Sequence, residues 1–171
     1  HRPAIFSSRV CFGFVVLGLM FVSQQTARSA SSIADGASVE KFTGGHTRVV
    51  WVTDAKNKDS FAERNHLQLV GYDSRDGKGE RIIWADRANY YRPLITPDGE
   101  QIVFSNRQNL TIYVVKWDGS PPRLLKEQGC ATEVWRDPQS GKTWVYYQES
   151  VRDFTKPVRR FPIDEPQKVE T

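Results

Sequence analysis

Beyond Gly45 the chain is a succession of apolar runs of four to seven residues, each bounded by Asp, Gly, Asn or Pro. That punctuation predicts short strands joined by tight turns, because these residues supply the backbone angles that reverse a chain. "TPDGEQ" (Thr96–Gln101) and "KWDGSP" (Lys116–Pro121) both carry Asp-Gly, which provides positive φ at little cost. "DSRDGKGE" (Asp73–Glu80) and "DPQSGK" (Asp137–Lys142) predict longer reversals of the same kind. After the first 30 residues the pattern predicts no helix.

The runs repeat. "RVVWVTD", "QIVFSNR" and "TWVYYQE" each place an aromatic fourth, at Trp51, Phe104 and Tyr146. A second set ends in aspartate: "LQLVGYD" at Asp73, "IYVVKWD" at Asp118 and "VRRFPID" at Asp164. A polar turn and a short closing run follow each one: "ERIIWA", "RLLKE" and "QKVE". One unit of four strands per ~40–50 residues is the period of a propeller blade. In the middle copy the strands read as Pro93–Thr96, Gln101–Ser105, Leu110–Trp117 and Arg123–Lys126. The third copy reads as Glu133–Arg136, Thr143–Gln148, Pro157–Ile163 and Gln167–Glu170. The first copy lacks a clear innermost strand, and the insertion Ala55–His66 accounts for its greater length.

The middle copy carries a family resemblance. Thr96, Pro97, Asp98, Gly99, Ile102, Phe104, Ile112, Tyr113, Asp118, Gly119, Arg123 and Leu124 resemble the repeat of TolB-type propellers. The match is looser in the third copy and looser again in the first. The resemblance implies an all-β fold: a partial β-propeller of about three four-stranded antiparallel blades over residues 46–171. It implies no particular reaction, since propellers host many functions.

The first 30 residues do something else. Arg2 and Arg9 precede the thirteen-residue apolar run Val10–Val22, and a small-residue tail follows. That is the layout of a secretory signal peptide, too short for a bilayer span of ~20 residues. Cleavage is expected between Ser29 and Asp35, with residues 31–45 as a linker; an uncleaved membrane anchor is the alternative. Residue 1 is histidine, so the sequence is read as lacking its initiator. The leader also changes the charge. Removing its three arginines from the 24 basic residues leaves 21 against 20 acidic ones, so the net charge of +4 gives no case for nucleic acid.

Candidate chemistry is sparse. After cleavage only Cys130 remains, which excludes an internal disulfide and reads as a small half-buried loop residue. His46 and His66 lie at strand edges without a third ligand or paired carboxylates, a poor metal or catalytic set. Asp73, Asp76 and Glu80 lack the alternating spacing of a calcium loop and read as turn residues. No Gly-x-Ser-x-Gly elbow or phosphate-cradling loop occurs. Trp51, Trp117 and Trp144 read as core, whereas Trp84 and Trp135 are unassigned. "ADRANYYR" (Ala85–Arg92) links the first copy to the second. As a loop at a propeller mouth it would present Arg87, Asn89, Tyr90, Tyr91 and Arg92, either to a ligand or as a cap on the blade seam.

The resulting expectation is an exported, periplasmic or secreted binding scaffold, with no cofactor, metal or catalytic residue in this segment. Its partner would be a protein, peptide or glycan at the propeller mouth. The alternative is the propeller part of a larger secreted hydrolase or lyase. An arc of two or three blades leaves apolar faces open, so the natural protein is expected to continue past Thr171 and residues 31–171 alone to associate.

Overall fold

A computed structural model describes residues 35–54, 66–150, 153 and 155–171. The expected leader and residues 55–65 of the insertion lie outside the described residues. Among the described residues ten strands form three antiparallel sheets in chain order. The first holds β1 (Arg48–Asp54), β2 (Leu67–Asp73) and β3 (Arg81–Ala88). The second holds β4 (Tyr90–Ile95), β5 (Gln101–Asn106), β6 (Thr111–Lys116) and β7 (Arg123–Lys126). The third holds β8 (Cys130–Arg136), β9 (Thr143–Gln148) and β10 (Arg159–Pro162). The architecture is a partial β-propeller of three blades, of which the middle one has four strands and the outer two have three each among the described residues.

Strand alternation places the two cores. On β5, Ile102 and Phe104 face the first sheet and join Leu67, Leu69, Ile83 and Trp117. Val103, between them in sequence, faces the third sheet with Val134, Val145, Tyr147 and Phe161. Adjacent residues on a strand point to opposite faces, so one strand feeds both seams. The middle blade is therefore packed on each side.

The Asp-Gly turns are built as their sequences require. Gly99 and Gly119 have φ of +80° and +83°. Asp98 accepts from the Glu100 amide at 3.0 Å and from the buried Thr96 hydroxyl at 2.6 Å. Asp118 accepts from the Ser120 amide at 2.9 Å. Each carboxylate thus satisfies the amide that the reversal leaves over.

Four expectations change. First, a helix does occur after residue 30: α1 (Gly36–Thr43), with Asp35 accepting from the Ser38 amide at its start and Gly44 at φ +84° ending it. It buries no residue, so it shows no apolar stripe to read. Second, Gln167–Glu170 forms no closing strand; a single bridge joins Glu170 to Arg160. Pro162 ends β10 and Pro166 lies in the turn, and each removes a ladder donor. Third, Ala85–Arg92 is strand and not loop: β3 runs to Ala88, β4 begins at Tyr90, and only Asn89 connects them. Ala88 pairs with Leu67 and Tyr90 with Asn106, so the backbone is already claimed by ladders. Fourth, Cys130 opens β8 and is buried.

Candidate functional site

Strand periodicity assembles one concave aromatic site. Trp84 and Asp86 stand two apart on β3, and Phe104 and Asn106 two apart on β5, so each pair shares a face. Cross-strand pairing sets Tyr90 beside Asn106 and Tyr113 beside Phe104. With Pro122 these residues line a cavity of about 190 Å³ between the first and second sheets. Phe104 is its floor, with the Tyr90 ring edge-on at 5.1 Å and the Tyr113 ring stacked at 5.7 Å.

The chemistry of the wall is mixed. Burial pushes the Tyr90 phenol up; its bond with Trp84 acts the other way, and nearby Asp86 and Tyr113 add to the rise. Asp86 is exposed and has no ion-pair partner among the described residues. The cavity is smaller than the ~300–1,000 Å³ of sites for drug-sized ligands. It suits one side chain or one headgroup.

The remaining polar residues hold the seams together. Arg48 on β1 donates to Asp73 on β2 at 2.7 Å, and reaches the second sheet at the Gly99 carbonyl (2.5 Å) and the Glu100 carboxylate (2.9 Å). Arg48 and Arg81 both lie over the Trp117 ring, at 5.2 and 5.4 Å. Burial works against ionisation of Asp73, but bonds from Arg48, the Arg75 amide and His46 hold it down at about 2.

The sequence-derived candidates divide accordingly. His46 meets Asp73 at 2.6 Å, and His66 is exposed just before β2. Asp76 pairs with Arg81, while Glu80 lies in the turn beyond. Among the described residues no group of three metal-ligating side chains converges. Trp117 and Trp144 are buried, Trp51 is half-buried and Trp135 is exposed. Tyr90 is buried in the seam, and Tyr91 lies between Arg92 and Arg107. Burial pushes the Cys130 thiol up, with Ser105, Arg107 and Arg92 acting the other way. Of the cavity residues, sequence reasoning raised Tyr90 for this role and left Trp84 unassigned. It missed Asp86, Asn106, Tyr113 and Pro122 as cavity residues, because neighbours across strands are set by register rather than spacing.

Comparison with solved structures matches the sheets to TolB from Acinetobacter baumannii, with a TM-score of 0.54 and 16% identity. The fold is TolB-like. The match covers 79% of this chain and 33% of that one, so the chain spans about a third of the length of that TolB. No protein-family model matches the chain, and no curated protein does. Among the described residues no helix is long and apolar enough to cross a membrane.

Proposed function

We propose that the chain is an exported binding scaffold, non-catalytic in this segment, that engages a protein or peptide partner. The carrying observation is the aromatic cavity at the seam of two rigid sheets, sized for a single side chain. Aromatic anchor pockets of this kind concentrate binding energy at protein interfaces. The TolB-like fold supports a scaffold role, and the Arg2, Arg9 and Val10–Val22 leader supports export to the periplasm or medium.

The test is made in an exporting cell. The leader-bearing chain, supplied with an initiator methionine, should yield a product beginning between Ala30 and Asp35. A photo-crosslinking residue at Pro122, on the cavity wall, should capture one partner that the same residue at exposed Val158 does not. Retention of the intact leader on a cytoplasmic product would defeat the export reading. Equal capture from both positions would defeat the site.

A further inference from the structure

We infer that the seam cavity takes an alkylammonium cation, held against Trp84, Tyr90, Phe104 and Tyr113 with Asp86 as its counter-ion. This deepens the scaffold reading and rests on it for its biological occupant, a lysine-type side chain of the partner. The same chemistry would serve a free quaternary ammonium headgroup.

Three observations converge. The cavity is aromatic on several sides, and ring faces attract cations within ~6 Å. Elsewhere in the fold several such faces are already occupied: Trp117 by Arg48 and Arg81, Tyr91 by Arg92 and Arg107, Trp144 by Arg160. Among the described residues no cation of the chain covers the rings of this cavity. Its carboxylate is unpaired in the same sense, whereas Asp73, Asp76 and Glu149 each hold an arginine. A cation would complete both the rings and the acid.

The probes are Nα-acetyl-lysine methylamide, its Nε-trimethyl form, choline, the uncharged choline isostere 3,3-dimethylbutanol, and N-acetylglucosamine. Binding to the whole chain is read by titration calorimetry and ligand-observed NMR. The cations should bind about tenfold tighter than 3,3-dimethylbutanol, or ~1.4 kcal/mol. Asp86→Asn changes an exposed position and should leave folding intact. It should weaken the cations severalfold, less so at high salt, and leave the isostere unchanged. Trp84→Leu should weaken all the cations.

Tighter lysyl probes would point to a partner side chain and tighter choline to a free headgroup; either supports the cation site. Equal binding of the isostere, no effect of Asp86→Asn, preference for the saccharide, or no cation binding would overturn it. Failure of the cations with position-specific crosslinking intact would remove this inference and leave the scaffold. Cation binding without crosslinking would do the reverse.

Discussion

Arg48 is the residue on which the first seam turns. It is half-buried, bonded to Asp73 within its own sheet, and bonded to Gly99 and Glu100 in the next. Gly99 can accept that contact because it lies at φ +80°, where its carbonyl turns toward the guanidinium. A Cβ there would adopt a left-handed conformation and stand 3.2 Å from Arg48 Nη1. Gly99→Val should therefore cost on the order of 1–2 kcal/mol, read as a lower midpoint in urea unfolding. Asp73 gives a pH signature. Its acid is held at about 2, below the ordinary 3.8, so the folded form binds its proton less readily than the unfolded one. Its stabilisation is present above pH ~4 and disappears as the pH falls from ~4 to ~2. Asp73→Asn should cost ~2 kcal/mol at pH 7, since a shift of one unit is worth about 1.4 kcal/mol. The difference between the two proteins should vanish near pH 2. A gap that stays constant across that window would show that the loss has another cause.

At the scale of elements, three strands of the middle blade were legible because their signals are local, while β4 begins at Tyr90, inside the stretch read as a loop. Arg123–Lys126 and, in the third blade, Thr143–Gln148 coincide with β7 and β9, where apolar runs end at a turn. The turns at Gly99 and Gly119 followed from a dipeptide. The helix did not, because α1 buries no side chain and leaves no periodic stripe. It is docked by polar contacts instead: Glu40 accepts from the Ser74 hydroxyl and from Arg75, each at 2.8 Å. Only its capping residues, Asp35 and Gly44, could have announced it. The cavity was half-legible. Tyr90 and Trp84 stood out as aromatics, but Asp86 joins them only because β3 continues through a stretch that composition marks as a loop. The helix has its own test at Gly36. A Cβ there would lie 1.8 Å from the Ser74 carbonyl oxygen, a backbone atom that cannot swing aside. Gly36→Ala should lift α1 from the first sheet and speed hydrogen exchange over residues 36–44. The melting temperature should barely move, because no core is lost. A large drop in melting temperature would mean that the helix supports the sheets beneath it.

Within the described residues the three sheets follow one another, and position among them decides exposure. The second sheet is covered on both faces, by the first sheet through Ile102 and Phe104 and by the third through Val103 and Val114. Among the described residues each outer sheet is packed against a neighbouring sheet on one face only. On the first sheet Val49 and Ile82 are 45% and 54% exposed. On the third, Trp135 is 42% exposed, and Val158 just before β10 is 48% exposed. Closed propellers bury such positions against the next blade, and repeat arrays shield them with caps. Contiguous exposed apolar surface on a soluble chain favours association. Residues 31–171 alone should therefore self-associate at micromolar concentration, with sedimentation coefficients that rise as the protein is concentrated. Ile82→Lys combined with Trp135→Lys should shift the distribution toward monomer without altering the far-ultraviolet circular dichroism, since neither side chain belongs to a buried cluster. The cavity between the first two sheets should stay intact in the double variant, because its walls come from the seam. Cation titration of the dispersed monomer then separates the two surfaces. Binding that survives dispersal belongs to the seam, and binding that is lost with association belongs to the sheet faces. A concentration-independent monomer with one sharp unfolding transition, before any substitution, would show that the outer faces are stable in water as they stand.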